Sequence, residues 1–366
     1  MSKQLLSRGQ WISIESVSLP MLGHFFLVGI LIRLSGRDAW IAALASIFPG
    51  LLFAWIIAKC KHRFPNILLF ESTKHALGRS MGSIVNVIYM FYFMFSAGLT
   101  FCGLEQFIAT IFMPETPYWA IGGSFSLLII LSLYCGIEAI GRTAVVFFIT
   151  ILVTGTFVGI NLIPEKDYSR LLPLLTTNWH EVGRGVLILM STWSELLLVL
   201  FIQNKTSTWK SIRNGVIFIV ILNGLLYTMM MASDIAVFGE DLAKTMDWPV
   251  QKEVRLLQFS FLDRLDIYGL FTVTAGCMIR IAIFLYGTCK ALSSFLQKVP
   301  YQAWIIPVVC LIFGFSLLPF WNHARFEQVL ETFYFYSSIL MLFPFMVLAV
   351  SYFRHPKNRL KQNSNT

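Results

Sequence analysis

Charge is what this sequence has least of. Only 13% of its 366 residues are Asp, Glu, Lys or Arg, against about 25% in ordinary soluble domains. Cysteine is sparse too: six residues (Cys60, Cys102, Cys135, Cys277, Cys289 and Cys310) with no CxxC pair. That spacing excludes a disulfide framework or a structural zinc site, and the thiols read as small core residues. There is no GxSxG, no Walker loop, no HExxH and no dinucleotide fingerprint, so the chain does not read as an enzyme and calls for no cofactor or metal. The net charge of +9 is spread among many short segments, which gives no footprint for nucleic acid.

What is present is apolar. Hydrophobic residues make up 57% of the chain, 33 of them Phe, and they fall in runs of the roughly 20 residues that cross a bilayer as helix. Ten spans are expected, near Trp11–Ile32, Ala39–Ala58, Ser83–Phe112, Tyr118–Ile137, Thr143–Ile163, Gly183–Ile202, Ile212–Ala232, Ile267–Ala291, Ala303–Phe320 and Val329–Tyr352. The fold class is thus an all-α polytopic membrane protein, one permease-like domain over residues 1–366. The first span is too long for a signal-peptide core and lacks a cleavage site, so it is expected to stay. With ten spans both termini share a side. That side carries 17 Lys/Arg, against 10 opposite, seven of these ten in two long loops that the positive-inside rule discounts. Both termini are expected in the cytoplasm, with residues 353–366 a short basic tail near the lipid surface.

An even division gives five spans per half, residues about 8–165 and 180–352. An odd number per half forces the second to insert upside down, an inverted repeat in which spans one and six are counterparts, commonly broken around a ligand. No sequence identity joins the halves. Between spans seven and eight, residues 233–266 carry apolar positions at helical spacing, as in one or two short interfacial helices. Asn178 is placed to cap span six.

The few charges inside spans are the candidate functional groups, because a charge at bilayer depth is costly and needs a partner or a cavity. Span six places Ser191 and Thr192 on the face of Glu195, with no Gly or Pro from Val186 to Ile202. Span one carries Glu15, then Pro20, Gly23 and His24. Pro20 lacks an N–H and frees carbonyls near residue 16, which at membrane depth must face a cavity or other protein. Span eight holds Arg280 on a face with Gly269, Thr272 and Gly276, and its guanidinium needs an anion, with Glu195 and Glu105 as candidates. Span three adds Glu105, Tyr89 and Tyr92. Ligand contact is expected from Glu195, Ser191, Thr192, Pro20, Gly23, Tyr92 and Arg280, and a proton or ion-pair relay from Glu195, Glu105 and Glu15.

Four stretches carry a family resemblance: Gly36-Arg-Asp-Ala-Trp-Ile; Arg63-Phe-Pro-Asn with Leu69-Phe-Glu; Leu172-Pro-Leu-Leu; and Phe259-Ser-Phe-Leu-Asp-Arg-Leu-Asp. By their order and spacing, the chain resembles the B subunits of spore germinant receptors, the spore germination permeases. The resemblance implies a fold of the amino acid–polyamine–organocation transporter type with a five-plus-five inverted repeat. It implies the inner membrane of the dormant spore and assembly with an A-type membrane subunit and a C-type lipoprotein. It also implies a nutrient germinant (amino acid, sugar or nucleoside) whose binding triggers germination. The family's carboxylate in span six maps to Glu195. The stretch Phe261–Asp266 maps to the outer loop and the start of span eight. Where amino acid transporters of this fold carry a Gly-rich break in span one, this chain reads Val17-Ser-Leu-Pro-Met-Leu-Gly-His, with one Gly and one Pro. The alternative activity is a secondary amino acid transporter, proton-coupled, or a solute or water conduit.

Overall fold

The computed structural model describes residues 5–64, 69–175, 177–202, 208–257, 266–296, 299–318 and 322–354, with backbone alone at 22–24, 266 and 352–354. Residues 258–265 and the basic tail from 355 lie outside the described residues. The described elements are helical. α1 (Arg8–Pro20) opens with a reciprocal cap, Gln10 N–H donating to Ser7 Oγ at 3.3 Å and Ser7 N–H to Gln10 Oε1 at 2.8 Å. It closes at Pro20 and runs into a π-helical turn, Met21–Phe26, before α2 (Val28–Ser35). α3 (Ala39–Arg63), α4 (Leu69–Leu77), α5 (Arg79–Ile111), α6 (Tyr118–Cys135) and α7 (Ile137–Asn161) follow.

Then come α8 (Trp179–Thr192), a 3₁₀ turn over Trp193–Leu197, α9 (Leu198–Phe201) and α10 (Trp209–Phe238). The short helices α11 (Glu240–Lys244) and α12 (Pro249–Val254) lead to α13 (Asp266–Phe295) and α14 (Ile305–Ser316). α15 (His323–Ser337) and α16 (Leu342–Arg354) end the described chain. Tight connections need glycine where the backbone turns left-handed: Gly136, at φ 87°, reverses α6 into α7 with no loop residue to spare.

Eight helical runs among the described residues are long and apolar enough to cross a membrane, and Tyr301–Ser316 is a shorter apolar one. Three runs merge neighbours: α2 with α3, α8 with α9, and α15 with α16. Burial is inverted relative to a soluble domain. Phe48 is 78% exposed and Leu127 69%, whereas Glu15, Glu195 and Arg280 are 0% exposed. On α7, Val146, Ile149, Val153, Phe157 and Ile160 form an exposed apolar stripe. Water would penalise such a surface, and lipid does not. The molecule is a multi-pass membrane protein.

Four sequence expectations need adjustment. The apolar run ends the seventh span at Ala232, whereas its helix continues to Phe238, with Ser233 and Asp234 buried rather than in a loop. Cys135 and Cys310 are exposed, so only the other four thiols are core residues. From Val186 to Ile202 span six has no Gly or Pro to break it, yet the helix tightens to 3₁₀ at Trp193–Leu197. Pro20 pointed to carbonyls near residue 16, and those that take side-chain donors belong to Ser18 and Leu19. The expected short helices after span seven are α11 and α12, and Asn178 caps α8 through His180 N–H at 3.1 Å.

α3 packs along α10 and α5 along α13, and these two pairs flank the interrupted runs α1–α2 and α8–α9.

Candidate functional site

Arg280 of α13 is the centre of the buried polar cluster. Its guanidinium forks onto Glu195, Nη1 donating to Oε2 and Nη2 to Oε1, the latter at 2.6 Å. Nε donates to Thr100 Oγ1 at 2.8 Å, and Nη1 also to the Ser18 carbonyl at 3.2 Å. Nη2 further meets Ser96 Oγ and Tyr334 OH, each at 3.0 Å. Phe284 lies under the guanidinium, 4.7 Å from Cζ to the ring centre. An arginine has five N–H donors, and all five have acceptors here. The second half of the cluster is built the same way: Tyr334 OH reaches Glu195 Oε1 at 3.4 Å and Ser96 Oγ at 2.9 Å. This satisfaction is what permits two full charges at bilayer depth.

The cluster takes members from α1, α5, the 3₁₀ turn after α8, α13 and α15. Each interrupted run is held open by a particular contact. At the first, Tyr227 OH of α10 donates to the Leu19 carbonyl at 2.9 Å, beside the Arg280 bond to Ser18. Gly276 admits Met21, since a Cβ there would stand 2.3 Å from the Met21 sulfur. At the second, the Trp193 indole donates to the Ser46 carbonyl of α3 at 2.9 Å and lies on Gly50, where a Cβ would meet the ring at 2.9 Å. Below it Lys61, 2% exposed, donates to the Ile202 carbonyl just past α9, a cation at a helix C-terminus.

The other expected site residues are distributed around this centre. Tyr92 shares a hydrogen bond with Ser194 at 2.7 Å, and Ser194 donates to the Ser191 carbonyl at 2.6 Å. Ser191 and Thr192 turn their hydroxyls back onto the carbonyls of Ile188 and Leu189, so neither touches Arg280. Pro20 ends α1 beside the cluster, and Gly23 lies in the π turn, its surroundings outside the described residues. Glu15 is fully buried, and among the described residues neither carboxylate oxygen finds a donor; Ser16 Oγ and Ser18 Oγ are likewise without a partner there. Glu105 is not Arg280's partner. It sits against Gly122, where a Cβ would fall 1.8 Å from Oε1, and it bonds Ser316 of α14. Ser96, Thr100 and Tyr334 were not anticipated. The spacing of Ser96 and Thr100, four residues apart on one face of α5, was the available signal.

At the end of the cluster nearer α2 an aromatic plug closes the way in. Trp248 stacks on Phe25 at 5.3 Å and meets Phe107 at 5.6 Å edge-on. It does so from a left-handed backbone, φ 95°, which is costly for a bulky residue. The void between Trp248, Phe25, His323 and Phe326 is about 10 Å³, scarcely one water. Over it Arg33 of α2 pairs with Glu327 of α15, and His323 Nε2 lies 3.3 Å from Asp247 and 3.5 Å from Glu327.

A clasp beside this plug joins two of the motif stretches. Asp38 accepts from the N–H groups of Leu175 and Thr177, both at 2.9 Å, and Arg37 donates to the Leu172 carbonyl. Ser35 Oγ adds a bond to the Glu181 carbonyl at 3.2 Å. The end of α2 is thereby fastened to the start of α8.

Interrupted helices around a buried ion pair, in an inside-out helical bundle, define a membrane protein of transporter-like fold. Two solved structures share that fold. One is Mhp1, a nucleobase-cation-symport-1 family transporter in a closed conformation with bromovinylhydantoin bound (TM-score 0.67, 13% identity, 96% of this chain and 79% of that one). The other is MhsT in complex with L-phenylalanine (TM-score 0.67, 12% identity, 96% and 93%). Within that fold the sequence is more specific. The family model described as Spore germination protein, the spore permeases, matches residues 6–325, and the chain belongs to that family. Spore germination protein XB of Bacillus anthracis is 24% identical over 93% of this chain and 96% of its own length. Spore germination protein KB of Bacillus subtilis (strain 168) is 24% identical over 87% of each.

Proposed function

We propose that the chain is the membrane subunit of a nutrient germinant receptor. It binds a small germinant (amino acid, sugar or nucleoside) between the interrupted spans one and six, and it triggers germination with an A-type membrane subunit and a C-type lipoprotein. It has ten spans with α1–α2 as the first and α15–α16 as the tenth, in two inverted halves over residues about 8–165 and 180–352. Both termini face the cytoplasm, and the membrane is the inner membrane of the spore. The pairing of α3 with α10 and of α5 with α13, five spans apart in each case, supports the two halves. The membership in the germination family supports the partners.

The observation that carries the reading is the Arg280–Glu195 fork, which touches both interrupted spans at once. A ligand moves a two-state equilibrium only by binding one state better. Here every donor of Arg280 is occupied by the protein's own acceptors, so an anionic or polyhydroxy ligand gains the guanidinium only by displacing one of them. Spores carrying Glu195→Gln test this: the germinant response, measured per subunit retained in the membrane, should fall by at least tenfold. A normal dose–response with normal abundance overturns the assignment.

A second reading, proton-coupled transport, draws on Glu15, a second buried carboxyl that no donor meets among the described residues. Labelled-solute uptake in proteoliposomes decides between the two. Uptake driven by a pH gradient and abolished in Glu15→Gln favours transport; ligand binding without uptake favours the sensor.

A further inference from the structure

A groove of about 740 Å³ runs between α5 and α15, open on the lipid side. The wall formed by α15 and the 3₁₀ turn that continues it (Ser338–Met341) is a single stripe: Arg325, Gln328, Thr332, Tyr336 and Leu340, spaced three, four, four and four residues apart. The stripe is graded. A cation stands at one end, then an amide and a hydroxyl, then an aromatic and an aliphatic residue. The groove's lining contains no carboxylate, and among the described residues no ion pair engages the Arg325 guanidinium. The floor is Tyr92, stacked on Phe333 at 5.7 Å with planes 16° apart.

Length separates the candidate occupants. Fifteen residues of α-helix rise about 22 Å, which equals half a bilayer including its headgroup layer, about 20–22 Å. A transmembrane helix needs the full hydrocarbon thickness of about 30 Å. One lipid, with its headgroup at Arg325, its ester region along Gln328 and Thr332 and a chain against Tyr336 and Leu340, matches both length and polarity.

We propose that this groove is a binding site for one anionic phospholipid. The site is independent of the germinant reading. The lipid lies outside the cluster yet presses on Tyr92, whose hydroxyl holds Ser194 next to Glu195.

The test uses the full chain reconstituted in nanodiscs of phosphatidylcholine with 10–20% phosphatidylglycerol, then released for native mass spectrometry. One retained phosphatidylglycerol per chain is expected, enriched at least fivefold over its share of the bilayer. Arg325→Glu removes the headgroup contact and Thr332→Trp fills the groove without touching charge. Each should abolish the enrichment, whereas Arg213→Glu, on an exposed part of α10 away from the groove, should not. Circular dichroism and thermal unfolding confirm that the variants stay folded. Enrichment that survives both groove variants, or no enrichment in the native chain, overturns the proposal. So does a photocrosslinker at Gln328 that captures a polypeptide in place of lipid in the spore membrane.

Discussion

Arg280 and Glu195 depend on one another for their places. Removing one partner of a buried pair leaves the other charge without compensation, which costs about 3–5 kcal/mol, whereas replacing both with apolar groups is often neutral. Arg280→Met alone should therefore destabilise the detergent-solubilised protein by about that amount, and Arg280→Met with Glu195→Leu should recover most of it. Thermal unfolding of the two single variants and the double variant checks the coupling. Loss of stability that simply adds in the double variant would show that the pair is not coupled. The germinant response separates stability from function, since the stable double variant should still fail to germinate. Charge alone narrowed Arg280's partner to Glu195 or Glu105, since a guanidinium in an apolar span needs an anion, and the packing of α13 against the turn after α8 selects Glu195. The hydroxyls around it were not legible. Ser96, Thr100 and Tyr334 are ordinary spanning residues until α5 and α15 are known to face α13, and no single-helix pattern says which faces meet.

Among the elements, the interruptions divide the same way. Pro20 announced the first, since a missing N–H has a fixed local consequence. The second has no such residue. The 3₁₀ turn at Trp193–Leu197 follows from a tertiary contact, the Trp193 indole bonded to Ser46 and seated on Gly50, which is why the local sequence was silent. Gly50→Val should push the ring out, since a Cβ already sits 2.9 Å from it. Overpacking of that kind costs about 1–3 kcal/mol, and the change in intrinsic fluorescence on Gly50→Val should disappear in a Trp193→Phe background. The clasp at Asp38 gives a second case. Hydrogen bonds to a charged group contribute about 1.5–3 kcal/mol each, so Asp38→Ala should lower stability by about 3 kcal/mol, with Asp38→Asn keeping part of it. Equal effects from the two variants, measured by thermal unfolding, would remove the carboxylate from the explanation.

α12 offers a pH-dependent element. Burial holds the Glu253 carboxyl above the ordinary carboxylate range, with the Ser233 hydroxyl, Lys166 and Asp234 pulling the other way. The folded chain therefore holds that proton more tightly than the unfolded one does. The stabilisation is complete below the unfolded value of about 4.3 and is lost as pH rises through the higher folded value. Proteolysis between α11 and α13 should accelerate as pH rises from acid toward neutral. Glu253→Gln should flatten that profile, and an unchanged profile would mean that another group sets it.

At the scale of the whole molecule, the broad architecture was readable because lipid imposes it: long apolar runs, few charges and short turns leave little choice. The closure of one end was not readable, since Trp248, Phe25, Phe107 and His323 come from separate parts of the chain. That closure should be held by more than the Arg33–Glu327 pair, whose partners are 33% and 20% exposed and which as a half-exposed pair contributes at most about 1 kcal/mol. Glu327→Ala should thus leave unfolding almost unchanged. It should increase the rate at which a thiol reagent labels a cysteine placed at Phe107, and unaltered labelling would place the barrier wholly in the aromatic residues.

The sharing of one guanidinium among five helical segments also bears on how steeply the protein can respond. Shifting any one segment leaves a donor or an acceptor bare inside a low-dielectric interior, so half-moved arrangements are penalised more than either end state. Such a molecule has no graded middle. Each copy in a membrane would be either wholly resting or wholly switched, and a rising stimulus would change how many copies have switched, not how far each has moved.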